Sequence, residues 1–162
     1  LFDRVKRGVE LDYTPDGVTA GRSIRAGLDW DASMLDVAAA VDRVAVTGPV
    51  AVVGYCYGGS IAWLAAHELS LAAAVGYYGG QVHEFRDRSP RCPVMLHFGG
   101  LDQAIPLSGV EEVGALHPEV VVHVYDEAGH GFNCDARPSF HTESAALAQE
   151  RTIGFLRANG VS

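Results

Sequence analysis

The sequence predicts an α/β protein with a mostly parallel sheet and helices on both faces of that sheet. Two observations support this fold class. Short apolar runs, of the kind found in buried parallel strands, recur along the chain. Between them lie segments in which apolar residues recur at helical spacing, so strand and helix alternate through the second half of the chain. The expected strands are residues 50–54, 71–79, 93–99 and 120–126, and the expected helices are residues 31–46, 61–69, 107–116 and 142–158.

The N-terminal segment lacks this periodicity. Residues 1–30 are polar and rich in Gly and Asp, so we expect a loop there with at most a short helix. Its structure-breaking residues are Pro15, Gly17, Gly21 and Gly27. The first long helix should begin near Asp31, with Asp31 or Ser33 as its N-cap. The strand at 120–126 alternates cleanly, which places it nearer an edge of the sheet, and the last helix should begin near Thr142, a candidate cap.

The composition argues against several classes of partner. The formal net charge of −8 is unsuited to nucleic acid or an anionic membrane, because both attract clustered Lys and Arg. No apolar run approaches the roughly 20 residues of a membrane helix, and we see no signal peptide. The three cysteines are widely spaced and form no CxxC pair. We therefore expect reduced thiols in a cytoplasmic protein with no nucleic-acid or membrane partner.

A glycine-rich turn joins the strand at 50–54 to the next helix. The sequence Gly54-Tyr55-Cys56-Tyr57-Gly58 is the cysteine form of a nucleophile elbow. Because this bend is sharp and strained, Gly54 and Gly58 should provide the space that it needs. The N-terminus of the following helix favours a thiolate at Cys56, and the Tyr57 backbone N–H can donate to an oxyanion. From the turn alone, a buried structural cysteine is an open alternative.

Two further reactive residues follow, in the chain order nucleophile, acid, histidine of the α/β-hydrolase fold. Asp102 comes after the strand at 93–99, and His130 comes after the strand at 120–126. Catalytic groups of open α/β sheets gather at these carboxyl ends. Asp126 or Glu127, just before the histidine loop, could also orient the histidine. Asp102 is preferred, because it lies in a loop at the carboxyl end of a strand. The histidines show no metal-ligand spacing, so we expect neither a metal nor a cofactor.

From about residue 31 to residue 156, the sequence resembles the dienelactone hydrolase (carboxymethylenebutenolidase) family. The resemblance implies hydrolysis of a lactone or related ester by a Cys56–His130–Asp102 triad, with Cys56 as nucleophile, His130 as base and Asp102 as its orienting acid. The matching stretches are VGYCYGG at 53–59, AVGYYGG at 74–80, MLHFGGLDQAIP at 95–106, YDEAGHGFNCDARPSF at 125–140 and AALAQERTIGFL at 145–156.

The chain departs from the family pattern in two ways. Family members begin with further strands, which supply a second oxyanion donor and a carboxylate near the resting thiol. Because the first residue is not Met, we expect residues 1–162 to be the C-terminal two-thirds of one α/β-hydrolase domain that is N-terminally incomplete. The type enzyme also holds a substrate carboxylate with arginines, but Asn133-Cys134 stands where one is expected. Arg137 is the nearest substitute, and Arg22 or Arg25 could serve from the N-terminal side.

Two other functions stay open on the sequence. A general small-ester or thioester hydrolase would share the triad and differ only in its pocket. A non-catalytic redox-sensing or binding protein would use Cys56 as an oxidisable thiol, although a sensor has no need of an oriented base such as His130. The expected partner is a small lactone or ester, and the expected assembly is a monomer or a small homo-oligomer.

Overall fold

The computed structural model describes residues 2–161, and within them the chain forms a sheet of four parallel strands. The strands are β1 (Ala51–Tyr55), β2 (Ala73–Tyr77), β3 (Val94–Gly99) and β4 (Val121–Tyr125), and they lie side by side in chain order. The helices are α1 (Pro15–Ala26), α2 (Trp30–Val44), α3 (Tyr57–Glu68), α4 (Leu107–Leu116) and α5 (Thr142–Ala158), with short 3-10 turns at Phe2–Arg4 and Ala45–Thr47. The predicted fold class is confirmed.

One face of the sheet carries a row of aromatic side chains that crosses all four strands. Tyr55, Tyr77, His97 and His123 are register partners on successive strands. Helix α5 covers this row, because the Thr152 hydroxyl lies 2.6 Å from the Tyr77 hydroxyl and 3.0 Å from His97 Nε2. Burial lowers the pKa of His97 to about 3, so this histidine stays neutral and serves packing.

The opposite face carries α3, which lies almost on the backbone of β2. Adjacent strand residues point to opposite faces, so Gly76 faces α3 while Tyr77 faces α5. A Cβ added to Gly76 would lie 3.0 Å from the Gly59 carbonyl oxygen, and one added to Gly59 would lie 2.6 Å from the Tyr77 carbonyl oxygen. The absence of side chains at these positions allows the close approach. Helices therefore pack on both faces, as predicted.

The two outer strands of the described sheet differ in their surroundings. β4 lies at one edge, as its alternating sequence predicts. β1 lies at the other edge and pairs with β2 alone among residues 2–161. On this open side Val53 is 39% exposed and Tyr55 is 49% exposed. The described part of the chain thus leaves the strand that leads to Cys56 with a free edge.

The N-terminal segment is more helical than predicted. The expectation of a loop with at most a short helix over residues 1–30 is wrong, because α1 has 12 residues. The Thr14 hydroxyl caps it by accepting the Gly17 N–H at 3.2 Å. Pro15 occupies the first turn, where no N–H donor is needed, and Gly27 ends the helix. Pro15 and Gly27, two of the residues that suggested a loop, therefore mark the ends of a helix, and Gly17 and Gly21 lie within it.

Two helix caps also differ from the prediction. Asp29, rather than Asp31 or Ser33, caps α2, since its carboxylate accepts a first-turn backbone N–H at 2.8 Å. His141, rather than Thr142, caps α5 through a side-chain nitrogen that accepts a backbone N–H at 3.3 Å. Each cap lies just before the first helical residue, and a histidine is not among the usual capping residues.

Candidate active site

The nucleophile turn places Cys56 between β1 and α3 in a strained conformation. Cys56 has φ of 54° and ψ of −115°, and a positive φ is uncommon for a residue with a side chain. The turn is held by the Cys56 backbone N–H, which donates to the Tyr77 carbonyl at 2.9 Å. Helix α3 begins at the next residue, so its N-terminus lies beside the sulfur.

The space for this turn comes partly from a different glycine than predicted. A Cβ on Gly54 would lie 1.8 Å from the Gly58 carbonyl oxygen, so Gly54 is required, as predicted. The same prediction for Gly58 is wrong, because a Cβ there would meet nothing within 4 Å. The second required glycine is Gly59, whose Cβ would collide with the Tyr77 carbonyl oxygen. The elbow depends on the fit of α3 against β2 as well as on the bend itself.

The structure brings Cys56, His130 and Asp102 together at the carboxyl ends of three strands. His130 Nε2 lies 3.3 Å from Cys56 Sγ, and His130 Nδ1 lies 2.7 Å from Asp102 Oδ2. The other Asp102 oxygen, Oδ1, accepts the Ala104 backbone N–H at 2.8 Å. The Asp102 side chain is fully buried. The carboxylate is thus fixed, and it orients the imidazole with Nε2 towards the sulfur.

The charges at the site favour a thiolate beside an imidazolium. Cys56 is accessible to solvent, and desolvation by the surrounding protein opposes its ionisation. The hydrogen bond and charge of His130, the Tyr57 N–H and the Arg137 guanidinium outweigh that effect and lower the pKa of the thiol. Hydrogen bonds to Asp102 and Cys56 raise the pKa of His130 to about 9. Each group therefore stabilises the charged form of the other.

The three candidate arginines lie in different places. Arg137 lies beside Gly131, the residue after the histidine, since a Cβ on Gly131 would be 2.5 Å from Arg137 Nη1. Arg25 lies over the rings of Trp30 and Tyr57, at 5.7 and 5.5 Å from their centroids. Arg22 is exposed on α1. Of the three, Arg137 lies next to the histidine loop and its charge lowers the pKa of the Cys56 thiol, whereas Arg25 packs on the ring of Tyr57.

Sequence reasoning missed two residues that support His130. The ring of Tyr78 lies 5.2 Å from the imidazole, and Tyr78 has a positive φ of 39°. The Ser139 hydroxyl donates to the His130 carbonyl at 2.7 Å. The signal for Tyr78 was its position directly after a buried strand, next to Gly79. No sequence pattern pointed to Ser139, because a contact across nine residues of loop has no periodicity.

Comparisons with known proteins identify the family of this chain. The family model described as the dienelactone hydrolase family matches residues 6–160. The chain is 40% identical over 131 residues to a candidate carboxymethylenebutenolidase of Yersinia pestis, covering 72% of this chain and 49% of that protein. It is 34% identical over 137 residues to the carboxymethylenebutenolidase of Pseudomonas putida, covering 79% of this chain and 58% of that protein. The chain belongs to the dienelactone hydrolase family.

Solved structures support the same fold. A candidate dienelactone hydrolase from Klebsiella pneumoniae superposes with a TM-score of 0.75 at 27% identity, covering 82% of this chain and 63% of that chain. A hydrolase from Thermoplasma acidophilum shares the fold with a TM-score of 0.65 at 13% identity, covering 80% of this chain and 60% of that chain. This member of the dienelactone hydrolase family has the α/β-hydrolase fold. It spans about half the length of the curated relatives that it matches.

Residues 2–161 contain neither a membrane-spanning helix nor a cluster of metal-ligating side chains. Over that range, no helix has both the length and the apolar character needed to span a bilayer. Within the same range, no group of three or more His, Cys, Asp or Glu side chains is arranged to hold a metal ion.

Proposed function

We propose that this protein hydrolyses an enol-lactone or similar activated ester by acyl transfer through Cys56. One observation carries the proposal: a continuous chain of contacts runs from Asp102 through His130 to the sulfur, over 2.7 and 3.3 Å. A nucleophile, a base within hydrogen-bond reach and a buried group that orients the base are the requirements of nucleophilic catalysis. Membership of the dienelactone hydrolase family supports the same chemistry.

The first half of the reaction forms a thioester. The Cys56 thiolate attacks the ring carbonyl carbon, and the carbonyl π electrons move to oxygen, where the Tyr57 N–H stabilises the charge. As the intermediate collapses, the bond between the carbonyl carbon and the ring oxygen breaks. His130 Nε2 transfers its proton to the leaving oxygen, and Asp102 holds the imidazole throughout. An enol-lactone suits a thiolate, because its leaving group departs easily.

The second half releases the acid. Neutral His130 takes a proton from water, and the resulting hydroxide attacks the thioester carbonyl. The second tetrahedral intermediate collapses by breaking its carbon–sulfur bond, which regenerates the Cys56 thiolate beside the imidazolium. The low thiol pKa assists this step, since a stable thiolate is a good leaving group. A reducing cytoplasm, which we propose as the location, would keep such a thiol in its active form.

Arg137 is the residue that we propose to hold a carboxylate of the substrate. Its side chain lies next to the histidine loop and forms no ion pair within the part of the chain that the structure describes. An arginine can bind a carboxylate with two parallel hydrogen bonds, and charge-assisted bonds of this kind contribute about 1.5–3 kcal/mol each. Arg22 and Arg25 are weaker candidates, because Arg22 is an exposed residue of α1 and Arg25 is engaged by aromatic rings.

The test of the proposed chemistry is a burst experiment on the full-length protein. Mixing with p-nitrophenyl acetate should release one equivalent of nitrophenol per site in a fast phase, followed by slower turnover. Iodoacetamide treatment and Cys56→Ala should each abolish both phases. An unchanged rate in Cys56→Ala would refute nucleophilic catalysis by this thiol.

A second measurement separates an acidic lactone from other esters as the substrate class. Arg137→Met should raise KM for a carboxylate-bearing lactone by at least about tenfold and leave a neutral ester of similar size nearly unchanged. Equal effects on both substrates would mean that Arg137 has a structural role. A general small-ester or thioester hydrolase would then be the better description.

A further inference from the structure

A short turn before α1 presents one aromatic side chain to the site region. Asp12 Oδ1 accepts two hydrogen bonds from Thr14, from the backbone N–H at 3.2 Å and from the hydroxyl at 2.6 Å. The Thr14 hydroxyl in turn accepts the Gly17 N–H at the start of α1. Tyr13 lies between the two bonded residues, so its backbone is fixed on both sides. About half of this side chain is exposed to solvent.

The Tyr13 ring packs against the arginine that we propose as the carboxylate-binding residue. The central guanidinium carbon of Arg137 lies over the ring, 5.7 Å from its centroid, which is within cation–π distance. The nearby Cys134 thiol raises the pKa of the Tyr13 phenol. Through Arg137, Tyr13 therefore contacts the loop that follows His130, although it comes from the other end of the chain.

The guanidinium is confined between this ring and the histidine loop. Nη1 and the guanidinium carbon of Arg137 lie close to the backbone of Gly131, where a Cβ would be 2.5 and 3.1 Å from them. Gly131 also has a φ of +77°, which is strained for a residue with a side chain. A side chain there would therefore both strain the backbone and collide with Arg137. A cation–π contact occupies no N–H donor. The donors of Arg137 therefore stay available for an anion while its position is restricted.

We propose that Tyr13 is a positioning residue that holds Arg137 in place for the carboxylate of the substrate. This inference rests on the proposed function, since it assumes that Arg137 binds the substrate. An arginine that is already ordered loses less conformational freedom on binding, so its hydrogen bonds give more net affinity. By ordering Arg137, Tyr13 increases the preference for acidic over neutral substrates. It has no part in the attack by Cys56.

Four variants of the full-length protein test this role. They are Tyr13→Ala, Tyr13→Phe, Arg137→Met and the double variant Tyr13→Ala/Arg137→Met. Tyr13→Ala should raise KM for a carboxylate-bearing lactone about 2- to 5-fold without changing kcat. KM for a neutral ester should stay within about 1.5-fold, which is below that range. Tyr13→Phe keeps the ring and should restore most of the affinity. The double variant should resemble Arg137→Met alone, because the ring has no purpose without the guanidinium.

Leu11→Ala is the matched control. Leu11 is also exposed in the N-terminal segment, but its side chain lies against Gly21 of α1. Its KM values for both substrates should equal those of the wild type. Equal effects of Tyr13→Ala on both substrates, a loss of kcat, or full additivity in the double variant would overturn the positioning role. The nitrophenyl acetate burst is independent of these outcomes, so its absence from the wild-type protein would refute the proposed function itself.

Discussion

Removal of the imidazole should change the ionisation of the Cys56 thiol, and the structure indicates by how much. The pKa of His130 lies at about 9 instead of its ordinary 6.5, which corresponds to about 3 kcal/mol in favour of the imidazolium. Asp102 is the larger cause and Cys56 the second. The part of this energy that belongs to Cys56 is on the order of 1 kcal/mol, and the thiolate and the imidazolium stabilise each other by the same amount.

His130→Ala removes that stabilisation from the thiolate and leaves its desolvation in place. The thiolate fraction at neutral pH should then fall by roughly one order of magnitude, since each pKa unit is a tenfold change. The assay is the rate of iodoacetamide alkylation of the Cys56 peptide between pH 6 and 10, followed by mass spectrometry. Mass spectrometry distinguishes this thiol from Cys92 and Cys134, which are also free.

The same measurement has a clear negative outcome. In the wild type the alkylation midpoint should lie below the ordinary thiol value of 9.0, and in His130→Ala it should move to higher pH. Identical midpoints in the two proteins would refute the coupling. The corresponding activity profile should be bell-shaped: activity is lost as the pH falls through the lowered thiol pKa and as it rises through about 9, where His130 loses the proton for the leaving group.

Three further predictions concern the orienting acid, the elbow and the sheet edge. Asp102→Asn should retain less than about a thousandth of kcat, measured on an activated lactone, because the imidazole loses its orientation. Gly59→Ala should lower the free energy of unfolding by about 1–3 kcal/mol in urea titrations, whereas Gly58→Ala, whose Cβ meets open space, should not lower it. Residues 1–162 expressed alone should self-associate through the free edge of β1, and Val53→Lys should reduce the aggregate seen by size-exclusion chromatography. A stable, fully active monomer would contradict the last expectation.

The sequence was most informative where a single periodic pattern controls the structure. Helices α4 and α5 have the predicted bounds, 107–116 and 142–158, because an apolar stripe between two turns leaves little freedom for their ends. The grouping of Cys56, Asp102 and His130 was predictable for a similar reason. Parallel strands place all their carboxyl ends at one side of the sheet.

The sequence was least informative where a residue has two possible meanings. Pro15 and Gly27 suggested a loop, yet they stand at the two ends of α1, where proline and glycine are favourable. Gly58 and Gly59 are adjacent in sequence, and only the packing of α3 on β2 determines which of them must lack a side chain. The contact of Tyr13 with Arg137 joins positions 124 residues apart, and no local pattern records it.

The two edges of the described sheet leave Cys56 and His130 less protected against local opening than Asp102. β1, which leads to Cys56, and β4, which leads to the His130 loop, each pair with one strand, whereas β3 is paired on both sides. Amides of β2 and β3 should therefore exchange with deuterium most slowly, and those of β1 and β4 should exchange through smaller opening events. Opening of β1 would carry Cys56 away while Asp102 and His130 keep their contact. In mild urea the sulfur and the imidazole should thus separate before the molecule loses its fold.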